Sequence, residues 1–356
     1  MYLKKITFPF SKTQLLINRI SAIDSFKGKW HTLEKRESKY LKELKRIATI
    51  ESSGSSTRIE GVILTDDEIE KLLKNLKISH FENRDEQEVI GYYQALELIL
   101  ENYDTIDLTE NYIRQLHSIL LKESEKDIRH RGEYKKITNK VVAKYPDGTE
   151  KVIFNTTEPH LVDKEMFELI NWVNKQFIEN DIHPLFIIAT FIYEFLSIHP
   201  FQDGNGRLSR LMTTLLLIKY GYDFVQYVSF EHIIENKKKK YYKALMSGQK
   251  NRYSDKENIY EWILFFLTSI EELISKLEIK YEKYNNKQSY LNSRQNELMQ
   301  LIQKSQPLKI SDIAAKLNNY SINTLKKDIQ YLLSEKQIEK IGKGRGTIYI
   351  INDEST

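Results

Sequence analysis

Apolar residues return every three or four positions over most of this chain, and only 13 glycines and 6 prolines among 356 residues interrupt them. That spacing lays an apolar stripe along one side of a helix, so a mainly α protein is expected. Helices are expected at Leu15–Ser25, at Arg36–Ile47, in a short stretch ending at Gly61, and at Asp85–Asn102. Further on they are expected at Asp163–Ile178, Pro184–Ile198, Asn205–Tyr220, Tyr241–Met246 and from Ile259 to about Tyr284. Gly61 suits the left-handed residue that closes a helix, and Thr65-Asp66-Asp67-Glu68 reads as a capping box that opens the next. One interruption differs in kind. Val141 to Tyr145, the turn Pro146-Asp147-Gly148, and Thr149 to Phe154 form two extended runs around a turn signal, which predicts a β-hairpin inside a helical surround.

The polar run Asn285-Asn286-Lys287-Gln288-Ser289 reads as a linker. Beyond it, Arg294–Lys304, Ile310–Leu317 and Ile322–Ser334 pattern as short helices, and Ile338–Ile350 as two strands around Gly342-Lys343-Gly344-Arg345-Gly346. Helix, helix, helix, hairpin is the order of a winged helix. The division expected is a helical region 1–84, a core 85–284, a linker 285–290 and a winged-helix domain 291–352.

Charge and composition exclude several classes. Lys and Arg number 54 against 50 Asp and Glu, and a net +4 is too small for a nucleic-acid coat or a membrane-surface binder. No cysteine is present, which removes disulfides, thiolate metal sites and thiol nucleophiles. The start, Met1-Tyr2-Leu3-Lys4-Lys5, develops no signal-peptide core, and the richest apolar run, Phe186–Ile198, contains Glu194 and Ser197 and stops short of a membrane span. A soluble, cytoplasmic protein with no membrane partner is expected.

The densest chemistry lies in His199-Pro200-Phe201-Gln202-Asp203-Gly204-Asn205-Gly206-Arg207, with Arg210 after it. A helix ending at Ile198 and another starting near Asn205 leave the backbone N–H groups of Gly204, Asn205 and Gly206 as an anion site. Arg207 and Arg210 stand against the positive end of the helix dipole, an arrangement that an anion between them would stabilise. Asp203 suits a magnesium ligand beside bound phosphates, and His199 suits a general base near neutrality. Taken singly, Asp203 also reads as an N-cap, His199 as a cap, Phe201 as core, and the arginines as surface charge.

The sequence His199-Pro200-Phe201-x-Asp203-Gly204-Asn205-Gly206-Arg207-x-x-Arg210 resembles the signature of Fic-domain proteins at every fixed position. The resemblance implies a Fic-type helical bundle with a hairpin flap, and transfer of AMP from ATP to a Tyr, Thr or Ser hydroxyl of a target protein or of the enzyme itself. It implies that His199 deprotonates that hydroxyl and that Asp203 holds Mg2+ between the α- and β-phosphates. Gly204, Asn205, Gly206, Arg207, Leu208, Ser209 and Arg210 would line the nucleotide phosphates. Related Doc-type kinases carry lysine in place of the second glycine, so Gly206 points to AMP transfer.

The resemblance extends to accessory elements. Ser56-x-x-x-Glu60-Gly61 resembles the inhibitory motif of relatives whose regulatory helix precedes the core, with Glu60 directed at Arg210; a solvated Glu before a Gly cap is the alternative. The hairpin corresponds to a flap that pairs with the target, through Val142, Ala143, Lys144 and Tyr145. Tyr241, Tyr242 and Gln249 resemble the helix lining the adenine pocket, although one tyrosine also suits a core. Basic residues in the last unit permit DNA binding, and winged helices also serve dimerisation. A transcriptional regulator using the core as a nucleotide sensor, and a net de-AMPylase, are the alternatives.

Overall fold

The computed structural model describes residues 2–34, 38–74, 81, 83–144, 150–288, 293–335, 337–342 and 344–352. The chain divides into two compact units, Met1–Leu277 and Glu278–Thr356. Residues 1–84 and the core that follows, separated in the sequence reading, therefore share one unit.

The first unit is built on α8 (Pro184–Ile198), whose side chains are buried on almost every face. A helix apolar all round belongs at the centre of a bundle. The unit also holds α1 (Tyr2–Lys5), α2 (Phe10–Glu34), α3 (Ser38–Glu60), α4 (Asp66–Lys74), α5 (Arg84–Asn102), α6 (Glu110–Leu120), α7 (Pro159–Glu179), α9 (Asn205–Lys219), α10 (Phe230–Asn236), α11 (Lys238–Gln249) and α12 (Tyr260–Gln288) as far as Leu277, with α7 and α9 packed on α8. The expected hairpin is present as β1 (Lys140–Lys144) and β2 (Glu150–Asn155), antiparallel with an irregularity between Val141 and Val142. Among the described residues no third strand pairs with it. Its tip, with Tyr145, lies outside the described residues.

Two expectations change. The helix at 36–47 and the short one ending at Gly61 are one helix, α3. Its run of Ser, Gly and Thr reads as a break in sequence, but the small side chains serve close packing. Ser52, Ser53, Ser55, Ser56 and Thr57 are all buried, and a Cβ on Gly54 would stand 2.8 Å from Asp66 and Ile69. Hydroxyls that would otherwise be orphaned return to the preceding turn, Ser53 to Thr49 O and Thr57 to Ser53 O, each at 2.8 Å. Gly61, at φ +110°, ends the helix as expected, and Thr65 and Glu68 cap α4 reciprocally. The second change is at the linker, because α12 runs through residues 285–288; Ser289 and Tyr290 lie outside the described residues.

The second unit contains α13 (Ser293–Ser305), α14 (Ile310–Lys316), α15 (Ile322–Ser334) and an antiparallel pair, β3 (Ile338–Ile341) with β4 (Ile348–Ile351). Leu298, Ile302, Leu308, Ile313, Leu325, Ile329, Leu332 and Ile338 form its own core. Among the described residues no helix is long and apolar enough to cross a membrane.

Candidate active site

The turn between α8 and α9 is fixed by bonds that the sequence does not announce. His199 ends α8 in a left-handed conformation, φ 53° and ψ 61°, with its N–H on Phe195 O at 2.9 Å. Such a conformation is uncommon for a side-chain-bearing residue and costs of order 1–3 kcal/mol, which the surrounding bonds must offset. Asn205 supplies two of them, its amide bracketing Phe201 N (2.9 Å) and Phe201 O (2.7 Å). Asn139 donates to the same Phe201 carbonyl at 2.8 Å, and Lys135 N donates to Pro200 O at 2.8 Å.

Gly204 takes φ +79°, a region open chiefly to glycine, and its carbonyl accepts the first bond of α9, from Leu208 N at 2.8 Å. The amides of Asn205, Gly206 and Arg207 lie ahead of that bond and face outward from the helix end. Gly204 N–H, expected to join them, is instead held by its neighbour Asp203 Oδ1 at 2.6 Å. The anion site is therefore shifted by one residue.

An anion already stands at that helix end. Arg210 donates through Nε to Ser56 Oγ at 2.7 Å, and through one terminal nitrogen to Ser56 O at 2.9 Å and Glu60 Oε1 at 2.7 Å. A Cβ at position 206 would fall well inside contact with the same Glu60 oxygen, so the carboxylate lies directly over Gly206. Although burial opposes its charge, Arg210 and then Arg207 hold the Glu60 carboxyl below its ordinary range.

Arg207 is buried and lies between Glu88, at 3.2 Å, and Asp203, at 3.1 Å. Its Nε has no hydrogen-bond partner among the described residues. Asp203 Oδ2 accepts from Lys126 at 2.8 Å. Burial works against the Asp203 charge, but Arg207, Lys126 and the Gly204 amide keep the carboxyl far below the usual carboxylate range. Among the described residues no group of three His, Cys, Asp or Glu gathers as a metal cage. One ionised carboxylate beside a phosphate cradle still fits Mg2+, which is held by one or two carboxylates together with phosphate oxygens and water.

His199 directs Nδ1 to Leu196 O at 3.3 Å, which fixes the tautomer and leaves Nε2 as the acceptor. Burial, followed by the charge of Lys135, lowers its pKa to about 4, so the ring is neutral at physiological pH. Lys135 is buried and donates to Asn139 Oδ1 (2.8 Å), Thr156 Oγ1 (2.7 Å) and Ile198 O (3.1 Å). His117 is fully buried, stacks on Phe201 with ring centroids 3.8 Å apart, receives Gly132 N–H on Nδ1 (2.8 Å) and faces Asp203 O through Nε2 (3.0 Å). Burial lowers its pKa to about 4 as well.

The other residues expected at the nucleotide have these neighbours in the structure. Leu208 is core, and Ser209 bonds back to Gly206 O at 2.7 Å. Tyr241 is buried edge-on against Trp262 and Phe265, its hydroxyl turned to Ser209 and Arg210, and burial raises its pKa to about 12. Tyr242 is half-buried beside it, and Gln249 bonds Ser197 Oγ. Glu88, His117, Lys126 and Lys135 belong to the site although the sequence reading omits them.

With this geometry in view, residues 107–217 match the Fic/DOC family model. A Fido domain-containing protein of Dictyostelium discoideum is 38% identical over 66 residues, 18% of this chain and 46% of that protein. The protein adenylyltransferase Fic of Drosophila willistoni is 26% identical over 206 residues, 57% of this chain and 39% of its own. The chain thus spans less than half the length of these curated relatives. In fold it is similar to a Fic family protein from Desulfovibrio desulfuricans G20, with TM-score 0.64 and 19% identity over 98% of both chains. A Fic domain containing signaling protein from Bacteroides thetaiotaomicron covers 72% of this chain and 96% of its own at TM-score 0.57 and 23% identity.

Proposed function

Since residues 107–217 of this chain are a Fic/DOC domain, we propose that the protein is an adenylyltransferase that moves AMP from ATP onto a Tyr, Thr or Ser hydroxyl of a target protein or of itself, and that Glu60 restrains it. The observation that carries the reading is the Glu60 carboxylate over Gly206, bonded to Arg210 at the head of α9. That position suits a nucleotide phosphate, and a carboxylate standing there excludes one.

The chemistry follows from the neighbours. Neutral His199 accepts the proton of the target hydroxyl at Nε2, the oxygen attacks the α-phosphorus, and the bond from that phosphorus to the bridging oxygen breaks to release pyrophosphate. The amides of Asn205, Gly206 and Arg207 and the guanidinium of Arg210 bind the phosphate oxygens, while Glu88 and Asp203 hold Arg207 in line beneath them. Asp203 would hold Mg2+, which when bound neutralises phosphate charge. The hairpin pairs with no further strand among the described residues, and such an edge suits strand addition by a target segment. For the second unit, the order of helices and hairpin supports a winged-helix assignment.

The test compares wild type, Glu60→Gly and Glu60→Gly/His199→Ala, each incubated with α-labelled or γ-labelled ATP. Faint α-label on wild-type protein, strong α-label on the first variant and none on the second are expected. Retention of γ-label would instead mean kinase chemistry.

A further inference from the structure

Lys126 stands at the mouth of the site, and its ammonium is bonded to Asp203 Oδ2 at 2.8 Å with both side chains 39% exposed. The other carboxylate oxygen, Oδ1, is already engaged by Gly204 N–H at 2.6 Å and Arg207 at 3.1 Å. Oδ2 is therefore the oxygen left for a metal ion, and the lysine has it. We infer that Lys126 is a displaceable counter-cation on the metal seat of Asp203, so that its ammonium and the divalent ion compete for one carboxylate oxygen. This rests on the proposed reading of Asp203 as the metal ligand.

The arrangement is a built one. Lys126 lies in the single helical turn Glu125–Asp127, which is fastened by the buried pair Ser124 Oγ to Asp127 Oδ2 at 2.6 Å. Glu88 Oε1 lies 3.8 Å from the same ammonium, on the inner side, and offers it a second anion when Asp203 is taken. The backbone thus aims the lysine, and the half-exposed pair is weak enough to open. A divalent ion bound by one carboxylate alone gains little over an ammonium already in place. Phosphate oxygens that complete its coordination shell tip the exchange. Lys126 thereby makes metal binding conditional on nucleotide, and keeps Asp203 neutralised while the site waits.

The measurement is calorimetric titration of α,β-methylene-ATP into Glu60→Gly protein, with Mg2+ and again with EDTA. The quantity read is the ratio of the two Kd values, the factor by which metal tightens nucleotide binding. Lys126→Met is expected to raise that ratio about threefold to tenfold, because the competitor is gone. Lys126→Arg keeps a cation there and should leave the ratio within about twofold of its parent. An unchanged or smaller ratio in Lys126→Met overturns the inference. Asp203→Asn separates the two layers and should bring the ratio to about one whatever stands at 126. If Asp203→Asn collapses the ratio while Lys126→Met does nothing, the inference about Lys126 fails alone. If Asp203→Asn leaves the ratio high, the metal is not on Asp203, and the reading of the site falls together with the inference.

Discussion

His199 meets the demands on a base through backbone placement more than through its neighbours' charge. Its left-handed turn brings Nδ1 to the Leu196 carbonyl, and burial with the nearby Lys135 ammonium disfavours protonation, so that its pKa is lowered to about 4. A base whose pKa is depressed is competent above that value and is lost as pH falls through it. For Glu60→Gly protein, kcat/KM should therefore stay level from about pH 8 down to about pH 5 and fall below that, with a midpoint well under the roughly 6.5 of a free imidazole. A steady-state profile with its acid limb near 6.5 would refute the assignment. Lys135 carries the same argument one step back, since burial lowers its own pKa to about 8 while its three acceptors keep it directed at the turn.

At the scale of elements, α3 matters most, because its last turn delivers Ser56 and Glu60 to Arg210. On its other side, Arg58 Nε donates to Glu235 Oε1 of α10 at 2.8 Å, a largely buried pair, and Lys238 of α11 donates to Ile59 O at 2.6 Å. Glu235→Ala removes a partner of that fastening without touching Glu60. It should raise AMP transfer about threefold to tenfold and speed hydrogen exchange at residues 56–61, by populating a state with α3 withdrawn. Unaltered exchange there would dismiss the idea. The same helix marks where sequence reading stops. The motif from His199 to Arg210 is contiguous and its residue types declare an anion site, as the flanking glycine and cap declare the helix ends. The Ser-rich half of α3 reads as a break because propensity is local, whereas its burial against α5 and α10 is not. Glu88, Lys126 and Lys135 reach the site from α5, from the helical turn Glu125–Asp127 and from a loop, and only the fold brings them there. His117 left one trace, a histidine on the apolar stripe of Ile113, Leu116 and Leu120.

For the whole molecule, the two units have separate cores, and the three tryptophans, Trp30, Trp172 and Trp262, all lie in the first. Tryptophan fluorescence thus reports Met1–Leu277 alone, while far-ultraviolet circular dichroism reports both units. Leu325→Ala, at a fully buried position of the second unit, should destabilise that unit by about 2–5 kcal/mol. In urea this should move part of the dichroism transition to lower concentration and leave the fluorescence midpoint in place; a matching fluorescence shift would mean that the chain unfolds as one body. The contact of Glu60 with Gly206 ties distant parts of the sequence together in another sense. Any side chain at 206 displaces the Glu60 carboxylate, whereas in a chain already lacking that carboxylate the close neighbour that remains is the Arg210 guanidinium, at 3.3 Å. Substitutions at these two positions are therefore epistatic, because a side chain at 206 must move the Glu60 carboxylate where it is present and is spared that clash where it is absent.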